Sequence, residues 1–317
     1  MKKIFLLTLF ITFISLASYG QGRRYMSQFN HFQNYFNAGM TGYEGSTIKG
    51  FVRNQWSGFD GAPQLYYLST ELDFSEMRGD KDAALIGQNA VGVNFLSESY
   101  GAFLDTEIQA TYAARIRVSR NANLRLGAAI TYANSRLDGN SLNTEQANDP
   151  TVSQYLNSFA NMGIVDFNLG LALTHQNYYI GYSMQNINQG SIRFGDVFFD
   201  KKPRVSVFQS GFRQAISSTV SIASHVMYRA QNDLPNHFEA NIKGIFLDKI
   251  WLGVGHRVDY ANNFTFGVVH NQIKLGYTHE IPTNKSYLIP QPTHEFIATF
   301  SLWRKYGKAG DDNLVIW

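Results

Sequence analysis

NHFEANIKGIFL, residues 236–247, carries an apolar or small residue at every second position: Phe238, Ala240, Ile242, Gly244 and Phe246. Glu239, Asn241 and Lys243 stand between them. A helix would repeat its apolar positions every three or four residues. A strand sends successive side chains to opposite faces, so this stretch reads as a half-buried β-strand. KIWLGVGHRVDY, residues 249–260, sets Ile250, Leu252, Val254, Val258 and Tyr260 against Gly253, Gly255, Arg257 and Asp259. QIKLGYTHEI, residues 272–281, sets Ile273, Leu275, Tyr277 and Ile281 against Gln272, Lys274, Thr278 and Glu280. Residues 108–118 and 124–132 follow the same rule.

What lies on the two faces decides the solvent. The polar faces are rich in Gly, Asn, Thr and single charges of both signs, while the apolar faces carry rings toward strand ends, as at Tyr132, Tyr228 and Tyr260. Apolar outward, polar inward and aromatic at the interfaces is the pattern of an outer-membrane β-barrel. Such a barrel closes on itself, because an unpaired strand edge in lipid leaves backbone groups unsatisfied. Composition agrees: 16% of the 317 residues are charged, against roughly 25% in soluble domains. The chain holds 24 Phe and 18 Tyr, and its net charge of +3 is too small to point to nucleic acid. The fold expected is an all-β, antiparallel transmembrane barrel of about fourteen strands. Strands start near Ser46, Gln64, Gln88, Phe103, Asn123, Ile164, Asn177, Arg204, Thr219, Asn236, Lys249, Asn263, Gln272 and Thr293. With the amino end in the periplasm, tight links at 120–122, 176, 217–218, 248 and 271–272 face inward, and longer links at 138–162, 188–203 and 282–292 face outward. The link at 75–87 is long for an inner turn and the one at 261–262 short for an outer loop.

The first twenty residues read as a signal peptide, with Lys2 and Lys3 before an apolar run and Ser18 and Gly20 before a cut at Gln21. That apolar run is the only long one, so a bundle of membrane helices is excluded. The absence of cysteine excludes lipid acylation, disulfides and thiolate metal sites. Residues 21–45 are too aromatic to stay solvated, with Tyr25, Phe29, Phe32, Tyr35 and Phe36, and form either a periplasmic collar or a plug in the lumen. The barrel then covers 46–304, and 305–317 form a periplasmic tail.

Catalytic constellations are missing. His279–Glu280 and His294–Glu295 lack the second histidine of a zinc helix. GYSMQ at 181–185 lacks the final glycine of a nucleophile elbow, which leaves Ser183 a formal possibility only. No catalytic, cofactor-binding or metal residue is assigned, no cofactor is expected, and the chain is read as not an enzyme. The charges expected inside, Arg115, Arg117, Arg125, Lys243, Arg257 and Lys274 against Glu107, Glu239, Asp259, Glu280 and Glu295, should pair in a confined lumen. A crowded, paired interior suits a filled barrel better than a diffusion pore.

Two segments carry a family resemblance. YMSQFNHFQNYFNAGMTGYEG (25–45) followed by RNQWSGFDGAP (53–63) resembles the amino-terminal signature of the PorP/SprF family of type IX secretion outer-membrane proteins. DFNLGLAL (166–173) and IGYSMQNIN (180–188) are similar to the family's mid-barrel strand pair. The family tends to have Asn-Pro-Ala before its first strand, where this chain has Asn37-Ala38-Gly39. The resemblance implies an outer-membrane barrel that works with the type IX apparatus. It also implies partners: a secreted adhesin-type protein received through its C-terminal domain, or the periplasmic ring machinery.

RNQWSGFDGAP joins the first two strands and so belongs at the outer rim, where Gly58 and Gly61 permit tight turns and Pro63 directs the return. Trp56 and Phe59 there either anchor at lipid headgroups, fold over the barrel mouth, or help dock a partner. Arg53, Asn54, Trp56, Phe59, Asp60 and Pro63 are the candidate partner-binding or barrel-mouth residues, with the loops at 137–162 and 191–202 as the wider receiving surface. The alternative function is a transporter for lipids or hydrophobic solutes, which requires a continuous apolar lumen pocket. A third is a general porin.

Overall fold

The computed structural model describes residues 24–78, 89–119, 121–142, 155–156, 158–197, 201–232, 234–283 and 289–303. The signal peptide, the tail and parts of the links at 75–87, 137–162 and 191–202 lie outside the described residues. Fifteen strands form one antiparallel sheet: β1 Thr47–Asn54, β2 Gln64–Asp73, β3 Ala90–Tyr100, β4 Phe103–Arg117, β5 Ala122–Asp138, β6 Phe159–His175, β7 Tyr178–Gln185, β8 Ile192–Gly195, β9 Val205–Ala215, β10 Val220–Gln231, β11 Leu234–Phe246, β12 Ile250–Arg257, β13 Ala261–His270, β14 Ile273–Pro282 and β15 Thr293–Ser301. Each strand of the ring pairs with its sequence neighbour, apart from β8, and β1 closes on β15 from Thr47↔Ser301 to Asn54↔His294. Fourteen strands thus make a closed barrel, and among the described residues β8 pairs with β6 alone.

The burial pattern is that of a soluble protein turned inside out. Ile242 and Leu252 are 50% and 56% exposed, while Glu239 and Lys243 beside them are 0% and 1% exposed. The wall is uneven. β5 and β6 have 17 residues each, whereas β1, β7 and β12 have 8. At about 3.3 Å per residue the long strands carry some 30 Å of extra path, which takes this side of the wall beyond the bilayer. This height explains why β6 starts at Phe159 rather than near Ile164: Asp138 pairs with Phe159 at the top of the β5–β6 ladder.

β7 stops at Gln185 where Asn186 and Gln189 take left-handed conformations, and the chain rejoins β6 as β8. Asp166 holds this excursion, accepting from Asn188 N at 3.2 Å and Gly190 N at 2.9 Å. Asn188 in turn donates through Nδ2 to Val165 O at 3.0 Å. The segments DFNLGLAL and IGYSMQNIN therefore meet at one joint.

Residues 24–46 lie inside the barrel. Arg24 sits by Glu98, Asp105 and Glu107 near the outer ends of β3 and β4, and Ser46 reaches the inner end of β1. Phe29, Phe32 and Phe36 pack with Phe51, Tyr67, Trp251 and Ile297 of the wall. Phe32 meets Phe51 and Tyr67 edge-on, each with ring centroids 5.0 Å apart. The inward face is therefore not wholly polar, contrary to the sequence reading. Where both faces of a strand are apolar the period of two is lost, and only the segment packed inside reveals which residues point in. Tyr260 also leaves the outward face on which the alternation puts it: Asp259 turns left-handed just past β12, and the Tyr260 ring lies against Tyr25, with centroids 5.6 Å apart.

Candidate functional site

Two ionic layers clamp the inner segment. In the outer layer Arg53 reaches Glu280 at 2.9 Å and also pairs with Glu295. Arg257 meets Glu239 at 3.1 Å and Glu280 at 3.0 Å. Ser27 sits at the centre, its amide donating to Glu295 at 2.9 Å and its hydroxyl to Glu280. Arg257 donates to that hydroxyl at 3.0 Å, and Asn241 to the Ser27 carbonyl at 2.8 Å. Tyr25 is stacked on His237 and covered by the Arg257 guanidinium 4.5 Å above its ring. Full burial makes these pairs worth keeping whole, since removing one partner leaves an uncompensated charge.

In the inner layer Glu44 lies 3.5 Å from Lys49 and 3.4 Å from Lys274, and Lys49 lies 3.0 Å from Glu71. Glu71 accepts from the amide of Gly42 at 2.7 Å, and Arg115 pairs with Asp73. Burial pushes the Glu44 carboxyl up, but Lys274 and Lys49 outweigh it and hold it below the usual carboxylate range.

Not every inward cation meets an acid. Arg125 donates to the carbonyls of Gly39 at 2.9 Å and Thr41 at 2.6 Å. Lys243 donates to Asn30 Oδ1 at 3.2 Å and lies 3.0 Å from His31 Nε2. Burial, with Lys243 and Lys274 nearby, holds His31 well below its ordinary range, so its neutral ring can accept. Arg117 is exposed at the inner end and donates to Ser119 O at 3.1 Å, and Asp259 sits in the outer turn. Neither belongs to the lumen set in which the sequence placed them.

Between the layers the segment crosses a glycine seat. Gly127 and Gly170 are register partners on β5 and β6, and Gly181 lies beside them on β7. A Cβ on Gly127 would collide with the backbone of Ala38, and one on Gly170 with Asn37 and Gly39. Asn37 uses this closeness, donating to the wall carbonyls of Leu171 at 3.1 Å and Tyr182 at 3.3 Å. Ser183, the formal nucleophile of the sequence, donates to Phe36 O at 2.6 Å.

The rim stretch divides in two. Arg53 points inward and is 3% exposed, held in the outer ionic layer. Asn54 ends β1 opposite Gln64 and His294. Trp56, left-handed at φ 50°, donates its amide to Thr293 Oγ1 at 3.2 Å, and Ser57 N donates to Pro292 O at 2.8 Å. The β1–β2 loop is thereby tied to the β14–β15 loop. Its return passes Pro63, whose carbonyl accepts from Gln55 N at 3.0 Å. Phe59 stands edge-on to Trp56, is 48% exposed, and is followed by exposed Asp60. Ser27, the hub of the outer layer, carried no signal in the sequence, since a lone serine in an aromatic stretch has no periodic or motif context.

Among curated proteins none matches the chain in sequence. Solved barrels similar in layout include a Pseudomonas aeruginosa FadL homologue, at 10% identity and TM-score 0.42, covering 81% of this chain and 88% of that one. The toluene transporter TbuX of Ralstonia pickettii is 9% identical with TM-score 0.43, covering 83% and 88%. The CymD monoaromatic hydrocarbon channel is 9% identical with TM-score 0.44, covering 89% and 95%. Residues 18–300 match the profile described as type IX secretion system membrane protein PorP/SprF. A closed outer-membrane barrel with this match over most of its length belongs to the PorP/SprF family of type IX secretion system membrane proteins.

Proposed function

We propose that this chain is a filled, non-enzymatic docking barrel of the type IX system, which supports export and surface attachment of an adhesin-type protein by receiving its C-terminal domain at the outer rim. The observation that carries the reading is the path of residues 24–46, tied to inward residues of strands around the barrel by Arg24, Ser27, Asn34, Asn37 and Glu44. A lumen so occupied is a poor conduit, and we infer that the segment acts as a plug. The apolar inward residues a solute carrier would offer are covered by Phe29, Phe32 and Phe36.

The working surface is then outside the plug. Phe59 and Asp60 project from a loop that its neighbours hold rigid, and aromatic anchors on firm supports suit protein recognition. Removal of the signal peptide before Gln21 delivers the mature chain to the outer membrane in this reading. The test is deletion of the gene followed by surface proteomics. Loss of one adhesin from the cell surface, with crosslinks from the complemented strain mapping to the rim, supports the reading. Full export and attachment of every adhesin overturns it.

A further inference from the structure

We propose that His279 and His294 together form a surface site for a divalent transition-metal ion near the outer rim. Each histidine belongs to a His-Glu pair that lacks a second histidine in its own segment. The fold supplies that second histidine across the ladder. His279 of β14 and His294 of β15 are register partners, close to the ends of their strands that meet the outer loops. Both side chains are half-buried on the outward face. The glutamates that follow them, Glu280 and Glu295, point the other way and are buried in the outer ionic layer.

The spacing of the two rings suits one shared ion. A metal about 2.0–2.1 Å from a ring nitrogen lies about 3.2 Å from that ring's centroid, and a tetrahedral angle between two such rings sets their centroids about 5 Å apart. The imidazoles of His279 and His294 are 5.2 Å apart between centroids, with their planes tilted by 47°. Directly opposed residues on an antiparallel pair bring their side chains this close without moving the backbone.

The surroundings favour the same chemistry. Tyr277 OH lies 2.7 Å from His294 Nδ1, which leaves Nε2 as the nitrogen for the metal. Metal at Nε2 keeps the proton on Nδ1, which then donates to the Tyr277 oxygen and fixes the ring. Among the described residues neither nitrogen of His279 is hydrogen-bonded. Beyond the pair, the row across the strands continues with Asn54 on one side and Phe264 on the other, and no carboxylate stands in it. Two imidazoles with water completing the sphere select Cu²⁺, Ni²⁺ or Zn²⁺, with Cu²⁺ tightest. Ca²⁺ and Mg²⁺ require oxygen ligands, which this pair does not offer.

The test is titration of the detergent-purified full chain, made without a polyhistidine tag, with Cu²⁺ followed by electron paramagnetic resonance. One Cu²⁺ per chain should show hyperfine splitting from two imidazole nitrogens, and excess Ca²⁺ should not displace it. His279→Ala and His294→Ala, tested separately, should each lower the affinity by about tenfold or more and remove the two-nitrogen signal. Tyr277→Phe should weaken binding about tenfold while keeping that signal. His256→Ala, which removes an exposed histidine of the neighbouring β12, should change nothing. Undiminished binding by either alanine variant of the pair overturns the proposal, as does a native spectrum with a single nitrogen. The heat-induced gel shift reports that each variant is folded. Should an alanine variant lose it, His279→Gln or His294→Gln, which keeps a polar side chain without an imidazole, decides with the same outcomes.

Discussion

The amide of Ser27 donates to a carboxylate oxygen of Glu295 at 2.9 Å, across 268 residues of chain. The first belongs to the segment inside the barrel and the second to the last strand of its wall. Closing the ring and filling it are therefore coupled: the carboxylate that binds the segment also pairs with Arg53 on the first strand.

Arg257→Ala should be among the most damaging single changes in the lumen. It leaves Glu239 and Glu280 short of a buried partner and uncovers Tyr25. Breaking a buried pair from one side costs about 3–5 kcal/mol. A lower midpoint in the heat-induced gel shift, with correct insertion retained in the survivors, is the expected result.

Gly170→Val should open the lumen. The new side chain would occupy the space of Asn37 and Gly39, and the wall is the stiffer of the two partners because its ladder is paired on both sides. Liposomes containing the variant should swell in small osmolytes, while those containing the native chain stay closed. Swelling of both alike would contradict the plug.

Asn37→Ala tests the same seat more gently. Two hydrogen bonds to wall carbonyls are lost, at roughly 1 kcal/mol each net. A modest fall in the unfolding midpoint without swelling is expected, because Arg125 still holds Gly39 and Thr41.

Acid should loosen the inner layer. Glu44 titrates below the usual carboxylate range, with burial opposing and Lys274 and Lys49 driving the shift. A depressed folded value gives stability that is fully present above the unfolded value of about 4.3 and is lost as pH falls through the folded value. His31, held down by burial and Lys243, adds loss of the same sign beginning below about 6.5. Thermal midpoints measured from pH 7 to pH 3 should fall, and Glu44→Gln should start lower and fall less steeply.

Phe59→Ala with Asp60→Ala should leave the barrel intact, since both side chains are exposed at the rim. Surface retention of the adhesin partner should drop severalfold in whole-cell immunoblots at unchanged barrel abundance. Unchanged retention would remove this patch from the docking surface.

The alternation in residues 236–247 and its repeats determined the strands, their number and the inversion of faces, because a period of two is a local property and lipid permits only a closed sheet. The family signature was legible for a related reason: Asp166 and the Asn186–Asn188 stretch serve a joint between adjacent strands, so their order in the chain reflects their contact. Tertiary structure alone decided what the barrel contains. Nothing local distinguishes Arg53 as a lumen ion from Arg53 as a rim contact, or Phe29, Phe32 and Phe36 in a lumen from the same rings in a collar. Those assignments depend on charges and cavities contributed by strands hundreds of residues away, and they exist only once the ring has closed around the segment.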